Sequence, residues 1–157
     1  MRILGIDPGL RFTGWGVIGH EHGRFTHIAN GTVRIPEKLA MAERLRHIHD
    51  GLAAVMDEYK PEAAAIEEVF VNMNPASTLK LGAARGVAFL MPALYGVPVF
   101  EYSANLVKKS ITGVGHAGKE QIEMMIGVLL GRPAVDSEHA ADALAIAICH
   151  SNNNKKI

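Results

Sequence analysis

The order of extended and helical segments constrains the fold of this chain more than any other feature. Three extended segments come first, at residues 2–7, 13–19 and 24–34, and only short turns separate them. Because the connections are short, neighbouring segments are expected to pair as an antiparallel meander. The third segment contains Asn30-Gly31, a dipeptide typical of turns, which predicts a break within it.

The remainder of the chain alternates between helical and extended patterns. Helices are predicted at residues 37–59, 74–95, 103–111, 119–130 and 137–150, and strands at 63–69 and 97–102, with a glycine-rich loop at 112–118. Three strands that lead into β-α-β units predict an α/β fold with a five-stranded mixed sheet flanked by helices. By analogy, this order of elements resembles the ribonuclease H-like fold.

The chain is expected to form one domain over residues 1–150, followed by a frayed polar tail at 151–157. Its 157 residues, 48% hydrophobic and 20% charged, are typical of a single globular domain. The one cysteine, Cys149, excludes an internal disulfide framework and a cysteine-based zinc site. No apolar run is long enough to span a membrane, and the first residues do not resemble a signal peptide. We therefore expect a cytoplasmic protein without a membrane partner.

Charge is distributed unevenly although the formal net charge is zero. Residues 36–68 contain eight acids and four bases, whereas residues 70–119 contain one acid and five basic residues, namely Lys80, Arg85, Lys108, Lys109 and Lys119. A locally basic surface of this kind can bind nucleic-acid phosphates. A solvated basic surface without a ligand is the alternative.

Acidic side chains interrupt two apolar strands that are expected to be neighbours. Asp7 ends the first strand, before Pro8-Gly9, and Glu67 and Glu68 interrupt the fourth. Because strand side chains alternate between faces, only one of the two glutamates can share a site with Asp7. The alternatives to a metal site are an aspartate that caps the turn and an ordinary exposed strand end.

The last predicted helix is almost entirely alanine and aliphatic, so most of its surface should be buried. Its first turns nevertheless contain Glu138, His139 and Asp142. His139 and Asp142 are three residues apart and therefore share one face of the helix. The helix dipole explains an acid in the first turn, such as Glu138, but it explains Asp142 poorly because that residue lies one turn further on.

These polar residues can converge at one edge of the sheet. Asp7, Glu67 and Asp142 would then form a carboxylate cluster, with His139 beside it. Packed carboxylates repel one another unless cations neutralise them, and oxygen-rich clusters suit Mg²⁺ or Mn²⁺. Two such ions can activate a water and stabilise a leaving oxygen on a phosphate. Next to a basic surface, such a cluster predicts a nuclease.

Five segments of the chain together carry a resemblance to a known family. In order, they are Leu4-Gly-Ile-Asp-Pro-Gly9, Ala65-Ile-Glu-Glu-Val-Phe70, Lys80-Leu-Gly-Ala-Ala-Arg-Gly-Val87, Pro98-Val-Phe-Glu-Tyr102 and Ala140-Ala-Asp-Ala-Leu-Ala-Ile-Ala147. These segments make the chain similar to the RuvC family of bacterial Holliday junction resolvases. The resemblance covers residues 2–150 and implies a ribonuclease H-like fold. It also implies a bacterial cytoplasmic homodimer that nicks opposed strands of four-way junctions in recombination and repair. The implied cofactors are two Mg²⁺ or Mn²⁺ ions per active site, and the implied partners are the RuvA–RuvB branch-migration proteins.

The resemblance assigns roles to individual residues. The catalytic, metal-binding acids of the family are matched by Asp7, Glu67 and Asp142, and its functional lysines by Lys108 and Lys119. Lys119 is expected to neutralise charge that develops on the phosphate. The resemblance also implies that Phe70 stacks on an unpaired base at the junction centre, although a core phenylalanine is the alternative.

Further DNA contacts are expected from basic residues of the middle segment. Phosphate binding without sequence reading is the role expected of Lys80, Arg85, Lys108 and Lys109. The helix at residues 75–95 is the expected dimer surface, because it is rich in aliphatic residues.

The chain departs from many RuvC-family members at His139, where those members have an aspartate. Some members are similar to this chain in having histidine there. The change replaces an oxygen ligand with an imidazole, which suits Mn²⁺ better than Mg²⁺. We predict that His139 is a metal ligand, a general base or a proton shuttle, with Glu138 as the alternative ligand.

Two other functions stay open from the sequence. One is a non-cutting protein that binds four-way junctions and whose histidine-substituted metal site is impaired. The other is an actin-like nucleotide-binding lobe, which Gly5-Ile-Asp-Pro-Gly9 resembles. That lobe needs a similar second one, for which 157 residues leave no room.

Overall fold

A computed structural model describes residues 1–69 and 74–154 of the chain. The strands of this part are β1 (Arg2–Asp7), β2 (Phe12–Glu21), β3 (Arg24–Arg34), β4 (Ala63–Glu67) and β5 (Val99–Tyr102). The helices are α1 (Met41–Tyr59), α2 (Pro75–Leu94), α3 (Ala104–Thr112), α4 (Lys119–Leu130) and α5 (Glu138–Asn153). None of these helices is long and apolar enough to cross a bilayer.

The five strands form one mixed sheet in the order β3-β2-β1-β4-β5. β1, β2 and β3 pair antiparallel, whereas β4 pairs parallel with both β1 and β5. Short turns suffice for the antiparallel strands, and α2 provides the crossover that the parallel strands β4 and β5 require. The predicted five-stranded α/β sheet with flanking helices is confirmed.

Apolar side chains of the sheet build two separate cores. Ile3 packs in a cluster with side chains of α3, α4 and α5, and the adjacent Leu4 packs in a second cluster with α1 and α2. This division follows from the alternation of side chains along a strand. As the composition predicted, α5 is buried over nearly its whole length, from Ala140 to His150, with Asp142 as the exposed exception.

Several element boundaries differ from the sequence-based expectation. α1 begins at Met41 rather than at residue 37, because the preceding residues form a turn in which the Leu39 amide donates to the carbonyl of Pro36 (3.4 Å). β4 ends two residues early, at Glu67. α5 continues to Asn153, three residues into the segment expected to be frayed, and the side-chain amide of Asn153 donates to the carbonyl of Cys149 (2.8 Å).

The predicted break at Asn30-Gly31 is wrong. β3 continues through both residues, and Gly31 is the partner of Trp15 on β2. A Cβ atom on Gly31 would collide with the indole ring of Trp15, so this glycine makes room for a ring instead of forming a turn. The side chain of Asn30 contacts a loop that is distant in sequence, as described below.

Helix α5 packs directly on the backbone of the sheet. A Cβ atom on Gly5 of β1 would collide with the carbonyl of Ala143, and one on Gly14 of β2 with the carbonyl of His139. Glycine at these two positions therefore allows α5 to approach β1 and β2 closely. This approach brings the first turn of α5 next to the end of β1.

Gly5→Ala is expected to lower the free energy of unfolding by about 1–3 kcal/mol, because α5 must shift to accept one methyl group. Gly127→Ala on α4 is the matched control, since no atom lies within 4 Å of its Cβ position. Alanine is also the better helix former, so this control is expected to be neutral or stabilising by up to about 1 kcal/mol. Urea unfolding measures both variants, and equal stabilities would contradict the close approach of α5.

Candidate active site

Strands β1 and β4 and helix α5 bring three predicted acids together. Asp7 and Glu67 end two neighbouring parallel strands, directly after the paired residues Ile6 and Ile66. Burial raises the pKa of Glu67, and the negative charges of Asp7 and Asp142 raise it further. Asp142 on α5 lines the same cleft as Glu67, so the fold brings acids from β1, β4 and α5 to one edge of the sheet. Glu68, the residue after β4, is exposed.

The carboxyl group of Asp142 resists ionisation. Although Asp142 is an exposed residue, its carboxyl group loses hydration where it lines a cleft beside α4. This loss is the main cause that raises its pKa to about 6, and the charge of Asp7 adds to it. Lys119 and His139 offset part of the effect. A bound cation would stabilise the ionised carboxylate that burial and the charge of Asp7 disfavour.

His139 lies between Asp7 and Phe12. Its Nδ1 is 3.4 Å from Oδ2 of Asp7, a long hydrogen bond in which the ring nitrogen donates to the carboxylate. Burial raises the pKa of Asp7, and this contact with His139 counters it. The imidazole ring stacks on Phe12, with centroids 5.3 Å apart and planes 16° from parallel. Phe12 was not predicted from the sequence, and its only signal was its place at the start of β2, just after the Asp7 turn.

Lys119 and Glu138 form an ion pair between the first residues of α4 and α5. The pair raises the pKa of Lys119 and lowers the pKa of Glu138. Both side chains are 55% exposed, and exposed ion pairs are weak. A phosphate can therefore take the place of Glu138 at the Lys119 ammonium.

A cleft of about 460 Å³ lies beside the carboxyl groups. Glu67, Asp142, Lys108 and Lys119 line it, and apolar residues of α4 such as Ile126 form another part of its wall. The positive charge of Lys108 lowers the pKa of Glu67, against the larger effects that raise it. The cleft thus combines acids that can hold a cation with lysines that can contact a phosphate.

Arg85 has a position different from the one expected of a DNA-backbone ligand. Its guanidinium donates to the backbone carbonyl of Glu67 (2.5 Å) and to Oε1 of Glu101 (2.7 Å). The Arg85 side chain is only 13% exposed. These contacts hold the end of β4, and with it Glu67, in place. A DNA contact by Arg85 would require one of these bonds to open.

Two other predicted DNA-binding residues, Lys80 and Lys109, lie outside the cleft. Lys80 is exposed on the second turn of α2, and Lys109 is exposed in the last turn of α3. Neither residue lines the cleft that holds Lys108 and Lys119. Phe70 lies outside the described residues.

The donor set of the site fits a hard divalent cation. Asp7, Glu67 and Asp142 offer the oxygen ligands that Mg²⁺ and Mn²⁺ prefer, and their mutual repulsion calls for positive charge. His139 adds an imidazole nitrogen. Within residues 1–69 and 74–154, no three His, Cys, Asp or Glu side chains already form a metal-binding group. The fit therefore rests on the chemistry and charge of the donors.

Asp142→Asn is expected to stabilise the fold in a chelating buffer, and more so at about pH 7.5 than at about pH 4.5. The folded pKa of Asp142, about 6, lies above its ordinary 3.8, so its stabilising contribution is complete below 3.8 and is lost as the pH rises through 6. Asparagine stays neutral throughout. Allowing for solvent screening of an exposed group, we expect a Tm increase of about 2–4 °C near neutral pH.

Calorimetry with EDTA, at both pH values, measures this effect. Glu62→Gln is the matched control, because Glu62 is an exposed acid just before β4. This substitution should change the Tm by the same small amount at both pH values. Added Mn²⁺ is expected to raise the Tm of the unchanged chain more than that of Asp142→Asn. If the Tm increase caused by Asp142→Asn grows as the pH falls, the raised pKa assigned to Asp142 is contradicted.

Comparison with known proteins identifies the family. The family model described as "Crossover junction endodeoxyribonuclease RuvC" matches residues 3–150. The chain belongs to the RuvC family. This confirms the resemblance that the five sequence segments indicated.

Curated relatives and solved structures agree with this family membership. The RuvC crossover junction endodeoxyribonuclease of Paramagnetospirillum magneticum is 56% identical over 98% of this chain and 92% of its own length. That of Bartonella tribocorum is 54% identical over 100% and 92%. The structure of T. thermophilus RuvC in complex with a Holliday junction substrate has a TM-score of 0.90 at 34% identity, covering 96% of this chain and 93% of that one. The expected ribonuclease H-like fold is confirmed.

Proposed function

We infer that this chain is a crossover junction endodeoxyribonuclease, which resolves four-way DNA junctions by nicking them. One observation carries the inference. Asp7 and Glu67 end neighbouring parallel strands, and Asp142 lines the same cleft as Glu67, in a fold that matches a junction-bound RuvC with a TM-score of 0.90. The curated relatives, at 56% and 54% identity over nearly the whole chain, bear the same enzyme name. Such enzymes act in DNA recombination and repair.

As a nuclease of this family, the chain depends on a divalent metal. We propose that Asp7, Glu67 and Asp142 hold Mg²⁺ or Mn²⁺, two ions per site, with His139 as a further ligand. When bound, the ions supply an activated water and stabilise the leaving oxygen of the phosphodiester. Arg85 would support these metal ligands, because its guanidinium bonds to the backbone carbonyl of Glu67.

The remaining residues of the site would bind the phosphate and move protons. Lys108 and Lys119 line the cleft beside the acids, where their charges can neutralise a phosphate. Lys119 would exchange its exposed pairing with Glu138 for the phosphate oxygen. Because Nδ1 of His139 points to Asp7, its Nε2 is the nitrogen that can bind a cation or accept a proton from water.

We propose that two copies of the chain act together on one junction. Two opposed nicks require two sites, and a two-fold homodimer provides them. The exposed face of α2 supports this, because Leu79, Leu90 and Leu94 are 77%, 50% and 61% exposed. Gly82 and Gly86 on the same helix have open space at their Cβ positions, so a second helix can approach. Cooperation with RuvA–RuvB is proposed on family membership alone.

Incubation of the protein with a mobile synthetic four-way junction, in Mg²⁺ and separately in Mn²⁺, tests the function. We expect paired, ligatable nicks with 5′-phosphate and 3′-hydroxyl ends, and no cutting of a linear duplex of the same sequence. Faster nicking in Mn²⁺ would support His139 as a ligand. Tight junction binding without nicks in either metal would overturn the inference and favour a non-cutting junction-binding protein.

A further inference from the structure

We propose that Asn30, on the edge strand β3, is a positioning residue for the active site. Its side chain holds the loop at residues 131–137, which we call the pre-α5 loop, and thereby sets the position of His139 at the start of α5. This inference rests on the proposed function, because it takes His139 as part of the nuclease site. Asn30 itself does not line the catalytic cleft.

The amide of Asn30 bonds to the pre-α5 loop at two points. Its Nδ2 donates to the carbonyl of Ala134 (2.9 Å), and its Oδ1 accepts from the backbone amide of Asp136 (2.9 Å). Nδ2 also lies 2.8 Å from Nε2 of His27. These contacts determine which way the amide faces, because a flipped amide would place its oxygen against the carbonyl of Ala134.

Two more residues on the same side of β3 also bond to the pre-α5 loop. Thr32 and Arg34 follow Asn30 at two-residue intervals, so their side chains share a face of the strand. The hydroxyl of Thr32 bonds to that of Ser137, and Arg34 forms an ion pair with Asp136 at 3.0 Å. We define the clamp as Asn30, Thr32 and Arg34. Together they hold the last residues of the pre-α5 loop.

The clamp connects to the catalytic histidine through the N-terminal cap of α5. Ser137 is the cap residue, and its hydroxyl accepts from the backbone amide of Ala140 (3.1 Å). His139 is two residues beyond Ser137, on the first turn. Its 3.4 Å contact with Asp7 and its stacking on Phe12 both depend on where that turn begins. A loosened clamp would therefore displace the imidazole.

Asparagine suits this position because the loop presents a carbonyl and an amide to the same side chain. Alanine would leave both backbone groups without this partner. Aspartate would keep an acceptor for the Asp136 amide but lose the donor to Ala134, and its oxygen would face the carbonyl oxygen of Ala134. Both substitutions are expected to loosen the pre-α5 loop without touching the cleft.

Nicking kinetics of Asn30→Ala, Asn30→Asp and Thr32→Val test the proposal. We expect kcat for a four-way junction to fall by about tenfold to a hundredfold, while the junction Kd stays within about twofold. Thr32→Val keeps the shape of its side chain and removes only the hydroxyl, so it remains informative if the Asn30 variants fold poorly. Thr26→Ala, exposed on the same strand, is the matched control and should keep full kcat.

Amide hydrogen exchange of the free protein provides a readout that needs no catalysis. Exchange at Asp136 and Ala140 should accelerate by at least about tenfold in the variants, while amides of β1 and β2 keep their protection. If the unchanged chain does not cut junctions, the proposed function fails, and exchange alone still tests the clamp. Unchanged exchange overturns the clamp. Faster exchange at Asp136 and Ala140 with an unchanged kcat overturns the positioning role of Asn30. That role is also overturned if the variants lose amide protection throughout the sheet and bind the junction more weakly.

Discussion

Asp7→Asn is expected to abolish junction nicking, with kcat lowered by about a thousandfold or more, while the junction still binds. A thousandfold corresponds to about 4 kcal/mol of lost transition-state stabilisation, within the several kcal/mol that charge stabilisation in a metal site supplies. Asp7 is the common partner in this site. Its charge acts on Glu67 and Asp142, and its Oδ2 contacts His139. Asparagine has the same shape but removes the charge.

Single-turnover nicking and fluorescence anisotropy with one labelled junction separate catalysis from binding. We expect Asp7→Asn to bind the junction at least as tightly as the unchanged chain, because it removes a negative charge near the phosphate. Asp50→Asn, an exposed acid on α1, is the matched control and should cut normally. Normal nicking by Asp7→Asn would exclude Asp7 from the catalytic set.

The position of three acids at one edge of the sheet was predictable because local pattern and topology carry the information. Asp7 and Glu67 each follow an apolar strand, and strands that belong to a parallel pair end at the same edge of the sheet. Asp142 was recognisable as a charged residue within a helix whose other faces are apolar. Each of these signals lies within a few residues of the side chain concerned.

Side chains whose roles depend on distant partners were not predictable in this way. Asn30-Gly31 has the local pattern of a turn, but Trp15 on the next strand and a loop more than 100 residues away determine its structure. The charge of Arg85 is visible in the sequence and predicted a phosphate contact, whereas its bond to the carbonyl of Glu67 could not be predicted there. Phe12 likewise gains its role only when α5 brings His139 onto its ring.

Leu90→Glu is expected to convert the proposed homodimer to monomers and to lower paired nicking by more than about tenfold. Leu79, Leu90 and Leu94 lie on one face of α2, since spacings of eleven and four residues are close to whole helical turns. In the single chain Leu90 is already 50% exposed, so a glutamate should leave the fold intact. At a helix–helix interface the same carboxylate would be buried without a partner, which costs several kcal/mol.

Sedimentation equilibrium measures the oligomeric state, and a junction labelled on two opposed strands distinguishes single from paired nicks. Met124→Glu is the matched control, because Met124 on α4 is a similarly large apolar side chain with 62% exposure. It should remain dimeric and make paired nicks. A dimeric Leu90→Glu would exclude this face of α2 as the interface.

The residual activity of a monomer would show how the site is divided between the two copies. Asp7, Glu67 and Asp142 belong to one chain, and Lys108 and Lys119 line the cleft together with Glu67 and Asp142. A monomer therefore keeps all five residues and should still make single nicks at excess protein, although the two cuts would no longer be coupled. If monomers bind the junction but make no nicks at all, the partner copy must supply a group that the single chain lacks.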